Sequence, residues 1–250
     1  LTLNSSNDKE GVVTPTTLKF TKENWGAEQT VTVQGKDDEM RDGNINYTVF
    51  FAPAESNDED YAGMQPSPIK VTNIDNDVAG LNINIPAEDY EIIEGQDSLV
   101  VVKLNTQPKN DVKVSIAIDN VNEAVSDTKE VVLNAENWKN GVNVRLTGVR
   151  DYVIDGDKPV KITFTSASED EDYNLEPVVF DATVKDMDKA DLVVSMGDAP
   201  VVKEGDSGMV TMSVSLASKP TKDVTVALSV TDPSELKINK QSLTFKPEHW

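Results

Sequence analysis

Carboxylates recur in register along this chain, and they are the side chains in it best placed to do chemistry. The recurring acids form matched pairs one repeat apart: Asp38 with Asp151, Asp42 with Asp155, Asp75 with Asp186, Asp77 with Asp188, and Glu94 with Glu204. A single acidic residue of this kind is expected to be a solvated turn residue, because Asp favours turns. Matched repetition indicates instead a cation site, since clustered carboxylates repel one another unless a cation lies among them.

The residue types narrow the choice of cation. Calcium takes six to eight oxygen ligands from carboxylates, carbonyls and water, whereas magnesium takes fewer protein ligands in a tighter geometry. Zinc would require histidine or thiolate ligands, but the chain has no cysteine and His249 is its one histidine. We therefore predict that the cofactor is Ca²⁺.

Three tryptophans reveal the period at which the acids recur. Trp25, Trp138 and Trp250 are 113 and 112 residues apart, and residues 1–25 align without a gap onto residues 226–250. A period of this length is typical of one complete domain. We predict a C-terminal part of a repeat over 1–77, a complete repeat over 78–190, and an N-terminal part over 191–250. Each tryptophan is expected to be a hydrophobic plug at the end opposite the acids, and the alternative is an exposed residue that stacks on a ligand.

Short runs of alternating apolar and polar residues predict an all-β fold. In the complete repeat they cover 81–85, 99–104, 112–118, 130–133, 142–146, 160–164 and 179–184. Seven strands in about 110 residues indicate an immunoglobulin-like sandwich. Residues 1–77 lack the first two strands, so we expect an unpaired sheet edge there, and we expect residues 191–250 to stop after the fourth strand.

Strand direction predicts where the acids meet. If neighbouring strands are antiparallel, the turns after the first, third and fifth strands and the exit of the seventh lie at one end of the sandwich, facing the next repeat. Each of these four segments contains acids: Glu94; Asp119, Glu123 and Asp127; Asp151, Asp155 and Asp157; and Asp186, Asp188 and Asp191. We expect this end to be the metal site and the joint between repeats.

These residues resemble the Calx-beta domain, a calcium-binding sandwich found in sodium/calcium exchangers, integrin β4 and large bacterial surface proteins. The similarity lies in Glu94-Gly95 and Glu204-Gly205, in the Asp37-Asp38…Asp42 cluster, and in "DNDVAG" at 75–80. The resemblance implies calcium ligation by the following acids: Glu94, Asp151, Asp155, Asp186, Asp188, Asp37, Asp38, Asp42, Asp75, Asp77 and Glu204. Two departures are that Arg150 replaces the acid found at Asp37 and that Met187 separates Asp186 from Asp188. We expect fewer ions in the complete repeat, and Arg150 could instead pair with a carboxylate.

Composition restricts the class of partner. Forty-four acidic and 23 basic residues give a net charge of −21, which disfavours nucleic acids and anionic membrane surfaces. No apolar run approaches the length of a membrane span.

The sequence also lacks common catalytic motifs: it has no phosphate-binding glycine loop, no G-x-S-x-G and no HExxH. Paired acids could hydrolyse glycosides, but acids that recur in every repeat suit an ion site better, so we predict that the protein is not an enzyme.

Three functions compete. The first is a calcium-stiffened stalk of an extracellular, bacterial cell-surface or secreted adhesin, whose partners are its neighbouring repeats and whose other domains bind a glycan or protein. The second is a glycan- or protein-binding sandwich module, for which exposed aromatic patches would be needed. The third is a calcium-sensing regulatory domain as in exchangers, which requires tighter calcium sites than a stalk in a calcium-rich medium.

Overall fold

The computed structural model describes residues 1–85, 90–197, 201–202, 204–205 and 208–250, and its regular structure is almost entirely β-strand. The strands are β1 (Leu3–Ser5), β2 (Gly11–Thr14), β3 (Thr32–Gly35), β4 (Ile45–Phe51), β5 (Ile69–Asn73), β6 (Leu81–Asn84), β7 (Tyr90–Ile93), β8 (Asp97–Leu104), β9 (Val112–Ile118), β10 (Ala124–Ser126), β11 (Glu130–Leu133), β12 (Val142–Gly148), β13 (Lys158–Ser168), β14 (Val178–Lys185), β15 (Leu192–Met196), β16 (Met212–Leu216), β17 (Val224–Ala227) and β18 (Ser242–Phe245). One 3-10 turn, Glu171–Tyr173, precedes β14. The all-β prediction is confirmed. None of the described residues form a helix that is long and apolar enough to cross a membrane.

The complete repeat consists of two sheets around one core. One sheet has the order β10-β12-β8-β6 and the other the order β11-β9-β13-β14-β7. Every second residue of the central strands points inward, as period-2 alternation requires. Val100 and Val102 of β8 are buried in the same apolar cluster as Ile162 and Phe164 of β13, so the two sheets share a single core.

All seven predicted runs of the complete repeat are strands, but its described residues contain nine strands. The two additional strands are β7, which pairs in parallel with β14, and β10, which pairs with β12. The sequence analysis places only the turn that carries Glu94 between the predicted strands 81–85 and 99–104. In the structure Tyr90 and Ile92 are buried, because the chain moves from the edge of one sheet (β6) to the edge of the other (β7).

Residues 1–77 form a smaller version of this arrangement, with sheets β1-β4-β5 and β2-β3. Their buried apolar cluster consists of five residues: Leu3, Val13, Leu18, Tyr47 and Val49. Strand β3 corresponds to β12 but pairs only with β2, and all four of its residues are exposed. This agrees with the unpaired sheet edge expected for a unit without counterparts of β6 and β8.

The described residues of 191–250 form two separate two-stranded sheets, β15-β16 and β17-β18. No sheet among the described residues combines strands from more than one of the three predicted units. The complete repeat and its two neighbours are called the second, first and third unit from here on.

The three tryptophans differ in burial. Trp138 is 7% exposed and belongs to the core, as predicted, whereas Trp25 is 76% and Trp250 39% exposed. The plug prediction is therefore wrong for Trp25 and Trp250. In the second unit the end of β8 lies beside the tryptophan, where Leu104 donates its N–H to the Trp138 carbonyl at 3.0 Å. The first unit contains no counterpart of β8 to cover Trp25.

Candidate metal centres

The second unit gathers Glu94, Glu123, Asp151, Asp155, Asp186 and Asp188 at one end, here called the second pole. The turn between β12 and β13 reverses at Gly156, whose φ of +79° is a conformation that glycine adopts without steric cost. Asp186, just beyond β14, fixes this turn: its Oδ2 accepts hydrogen bonds from the N–H groups of Asp155 (3.0 Å) and Gly156 (2.8 Å). The N–H groups of Gly156 and Asp188 lower the pKa of Asp186 by stabilising its charged form.

The first unit repeats this framework at the first pole, which comprises Glu10, Asp37, Asp38, Asp42, Asp75 and Asp77. Gly43 has a φ of +84° and donates its N–H to Asp75 Oδ2 at 2.6 Å. Asp75 Oδ1 accepts the N–H of Asp77 at 2.8 Å. The corresponding bond in the second pole, from the N–H of Asp188 to Asp186 Oδ1, is also 2.8 Å long. The two poles therefore share one backbone scaffold.

The deepest part of the second pole is a cluster of three carboxylates. One oxygen from each of Glu94, Asp151 and Asp188 lies within 4.8 Å of the other two. Glu94 is 7% exposed and Asp188 5%. Burial raises the pKa of Glu94, and the charges of the nearby acids raise it further, against the effect of the Met187 N–H that donates to its Oε2 at 3.2 Å. Burial and repulsion together favour a cation here.

The side chain of Arg150 supplies part of the positive charge that the three clustered carboxylates favour. Its Nε and Nη2 both donate to Asp188 Oδ1, at 3.0 and 2.8 Å, so the pairing foreseen for this arginine is present. Asp188 Oδ2, which is also buried, accepts no hydrogen bond from the described residues. A buried carboxylate oxygen without a partner is costly, and Oδ2 is therefore the atom of this pole best suited to bind an ion.

The first pole has its own group of three, Glu10, Asp38 and Asp42, with one oxygen of each within 4.8 Å of the others. These residues line a small cleft together with Asp37, Asp75 and Asp77. Asp38 and Asp42 are exposed. Partial desolvation of its carboxyl and then the charges of Asp38, Glu10 and Asp75 raise the pKa of Asp42, against the effect of the Lys109 charge. The pKa of Asp77 is also raised, first by burial and then by Asp75 and its other acidic neighbours.

Glu10 is the ligand candidate that the sequence analysis missed. It lies in a turn where the N–H groups of Glu10 and Gly11 donate to the Asn7 carbonyl, at 3.3 and 3.1 Å. The same turn returns with Glu123 in the second unit and Glu235 in the third. The tryptophan register aligns these three glutamates, so extending the comparison of acids to this turn would have found Glu10. In the second pole, burial and the charges of Asp155 and Asp151 raise the pKa of Glu123.

The remaining predicted ligands hold different positions. Asp155 forms an ion pair with Lys158 at 3.2 Å at the rim of the second pole. Asp37 lines the first cleft without belonging to its closest group of three. Glu204 is exposed, and the third unit described here contains no counterpart of the turn that holds Asp151, so the structure brings Glu204 to no other predicted ligand.

Both clusters suit calcium by size and by chemistry. Calcium binds oxygens at about 2.3–2.6 Å, so two oxygens on opposite sides of one ion lie about 5 Å apart at most. The spacing of up to 4.8 Å in each cluster fits that range. The donors are carboxylates throughout, and none of the candidate ligands is a histidine or a cysteine, so the set is not that of a zinc site.

Each acidic turn also carries the contact to the following unit. The carbonyl of Glu39 accepts the N–H of Gln107 at 2.7 Å, and the carbonyl of Tyr152 accepts the N–H of Lys219 at 2.8 Å. Glu39 and Tyr152 are equivalent residues of the first and second turns, and Gln107 and Lys219 are equivalent residues that each precede a proline. The two joints are therefore built in the same way, at the acidic end predicted for them.

Comparisons with known proteins add little. No family model matches the chain, and no curated protein matches it. The periplasmic chaperone SfaE is similar over 43% of this chain and 57% of its own, with 12% identity and a TM-score of 0.33. Domains 4–9 of the surface layer protein SbsC are similar over 92% of this chain and 31% of their own, with 15% identity and a TM-score of 0.32. The chain spans less than two thirds of either protein, and scores of this size carry no functional argument. Membership of the Calx-beta family stays a prediction.

Proposed function

We propose that this chain is a stretch of a structural stalk in which calcium ions at the acidic poles stiffen the joints between successive β-sandwich units. The observation that carries the proposal is the coincidence of two features in both units. The turn that closes on Asp75 or Asp186 presents clustered carboxylates on one side, and it provides the backbone carbonyl that accepts a hydrogen bond from the next unit. An ion that fixes the turn would thereby fix the joint.

In the second pole, the ion would be held by Glu94, Asp151 and the free Oδ2 of Asp188. In the first pole, Glu10, Asp38 and Asp42 would hold it. When bound, calcium supplies positive charge that offsets the repulsion among these carboxylates. The chain's own part is to preorganise the turn, which the Asp75 and Asp186 carboxylates do by accepting backbone N–H groups.

The setting that suits this chemistry is the bacterial cell surface or a secreted protein. Stalks there work in millimolar calcium, where weak sites are filled. The acidic surface and the absence of cysteine agree with that setting. The partners of this segment would be its neighbouring repeats, and recognition of a glycan or protein would belong to other domains.

Calcium binding is tested first by calorimetry and thermal unfolding of the 250-residue protein. At a calcium concentration about 100 times Kd, each ion that binds only the folded state adds about 2.7 kcal/mol, which raises Tm by on the order of 10 °C. Glu94→Gln should reduce both the number of ions bound and the rise in Tm. Glu130→Gln is the matched control, because Glu130 is exposed on β11 outside both poles. Equal melting with calcium and with chelator would refute the proposal.

The affinity separates a stalk from a sensor. Sites that fill only near millimolar calcium fit a stalk, while sites that fill near micromolar calcium would favour the sensing function. Small-angle scattering then reports the mechanical effect: the maximum dimension should become better defined when calcium is added. Scattering that does not change with calcium, despite measured binding, would exclude a role in stiffening the joints.

A further inference from the structure

The two joints share their backbone contact but differ in what holds the turn behind it. In both, a carbonyl of the acidic turn accepts an N–H from the next unit, Glu39 from Gln107 and Tyr152 from Lys219. The direction of that carbonyl depends on the conformation of the turn. Whatever fixes the turn therefore fixes the angle between the units.

In both poles an aspartate closes the turn, and in the second pole Arg150 adds a further restraint. Arg150 donates two hydrogen bonds to Asp188 Oδ1, and the Asp188 side chain is fully buried. The guanidinium carbon also lies 4.7 Å from the centre of the Tyr152 ring, a cation–π contact. On the other side of the joint, the Trp250 ring centre is 6.0 Å from that of Tyr152. A continuous series of contacts thus runs from the buried carboxylate to the third unit.

Tyr152 needs this support. Its φ of +63° lies in the left-handed region, which costs a residue with a side chain about 1–2 kcal/mol. The stacking of Arg150 on its ring holds the residue in the conformation that points its carbonyl at Lys219.

The first pole has an acid where the second has the arginine. Asp37 occupies the position equivalent to Arg150 and adds to the negative charge beside Asp77. Two ion pairs cross the first joint, Lys139 with Glu39 and Arg41 with Asp172. They lie at the surface, and exposed ion pairs contribute little to stability. Neither pair involves Glu10, Asp38 or Asp42. The nearby charge of Lys109 lowers the pKa of Asp42, but desolvation and the neighbouring acids outweigh it.

We propose that Arg150 takes the place of one calcium ion in the second pole, so that the second joint keeps its geometry when calcium is removed, while the first joint requires it. The group formed by Glu94, Asp151 and Asp188 Oδ2 can still bind a further ion, which adds stability to the second unit without setting the geometry of the joint. This inference rests on the proposed calcium function and names how that function differs between two joints of one chain. Arg150 acts as a positioning residue: it ties the turn to Asp188 and, through Tyr152, to the third unit. Of the two joints in this chain, the first would then respond to calcium and the second would not.

The test measures each joint separately in the 250-residue protein. Because the sequence has no cysteine, spin labels can be placed at pairs of introduced cysteines. Lys70→Cys with Asn143→Cys spans the first joint, and Asn143→Cys with Ser242→Cys spans the second; all three positions are exposed. Electron–electron distance distributions are recorded with calcium and with chelator. On chelation the first distribution should broaden about twofold or more, and the second should keep its width.

Exchanging the two residues provides the decisive variants. Arg150→Asp should make the second joint broaden in chelator and narrow again with calcium, and Arg150→Lys should retain part of the calcium independence. Asp37→Arg in the first unit should reduce the response of the first joint. Far-ultraviolet circular dichroism checks that each variant keeps its β-structure. If a variant does not fold, the inference is tested by the wild-type protein alone, through the difference between its two joints in chelator.

The outcomes separate this inference from the function on which it rests. If both wild-type joints broaden equally in chelator, calcium stiffens the joints but Arg150 does not replace an ion, and the inference is wrong. If calorimetry shows no calcium binding and neither joint responds, the proposed function itself fails. A second joint that stays narrow in Arg150→Asp with chelator would also overturn the inference, because the arginine would then not be what fixes it.

Discussion

In the first unit the acidic turn closes on Asp75 and carries Asp37, whereas in the second unit the equivalent turn closes on Asp186 and carries Arg150. The backbone scaffold is the same in both, down to the glycine with positive φ and the hydrogen bond two residues beyond the closing aspartate. The difference lies in the charge placed on that scaffold. One substitution can therefore change the net charge of a pole, and with it the need for a bound cation, without changing the backbone structure.

The hydrophobic cores of the two units differ more than their poles do. Twenty buried residues form the core of the second unit, against five in the first. The scaffold of the pole depends on local turns and on β4 with β5, or β13 with β14, which both units possess. It is consequently present in the first unit even though that unit has the smaller core.

The largest expected effect contrasts Trp138 with Trp25. Trp138→Ala removes a buried ring and should cost about 3–5 kcal/mol of unfolding free energy. Trp25→Ala should change it by about 0.5 kcal/mol or less, since that ring is 76% exposed. Urea denaturation, followed by circular dichroism, measures both. Similar losses for the two variants would mean that Trp25 is covered in solution and that the units are more alike than their cores indicate.

A smaller effect is expected at Arg150. Arg150→Gln leaves the buried Asp188 without its two charged hydrogen bonds, and breaking a buried ion pair costs about 3–5 kcal/mol. Because Arg150 is itself half-exposed and solvent screens its charge, we expect a loss below this range in chelator but above that of the control. Arg145→Gln is the control, since its pair with Asp97 at 3.4 Å is exposed on both sides and should be worth about 0.5 kcal/mol or less. Calcium should restore part of the loss in Arg150→Gln, and equal losses in the two variants would contradict the pairing.

The strands of the second unit and the matching acidic turns of the two units could be predicted from sequence, because both depend on local patterns. Period-2 alternation located all seven expected strands of the second unit, and the tryptophan register aligned the acids of the two turns. The same register identified Arg150 as the residue that departs from Asp37. These features follow from the order of residues along one or two strands, which a sequence displays directly.

The features that sequence did not predict depend on which strands meet. The exposure of Trp25 follows from the lack of a covering strand in the first unit, and no property of the tryptophan itself reveals this. Strand β7 was missed because its four residues run directly into the Glu94 turn. Glu10 was missed because its turn, although repeated, lies far along the chain from the other acids. Only the folded sheet brings it to Asp38 and Asp42.

The glycines of the two turns test whether the scaffold is shared. Gly43→Ala and Gly156→Ala should each cost about 1 kcal/mol, because an L-residue is strained at their φ of +84° and +79°. No neighbouring atom lies within 4 Å of the added methyl group at either position, so the cost is conformational alone. Gly26→Ala is the control, with equal space and no positive φ. Thermal unfolding should show the two losses to be similar, and a loss at only one position would show that the scaffolds differ in solution.

The smallest expected effect is on the pH dependence of stability, and its sign distinguishes the calcium-free from the calcium-bound protein. The folded state raises the pKa of Asp42 and Asp77 in the first pole, and of Glu94 and Glu123 in the second. A carboxyl whose pKa is raised on folding binds its proton more tightly in the folded state. Calcium-free stability should therefore increase as the pH falls from 7 toward these raised values, and this gain is complete below the unfolded-state pKa of about 4.

Asp75 and Asp186 act in the opposite sense, because the N–H groups around them lower their pKa. Their contribution is present above the unfolded-state pKa and is lost as the pH falls through the lowered values, so it opposes the trend only in stronger acid. With calcium bound, the sign between pH 7 and 5 should reverse, since protons compete with the ion for the same carboxylates. Tm measured across this range, in calcium-depleted buffer and at fixed calcium, should give two curves that converge toward acid. Curves that remain parallel would show that calcium does not bind to these carboxylates.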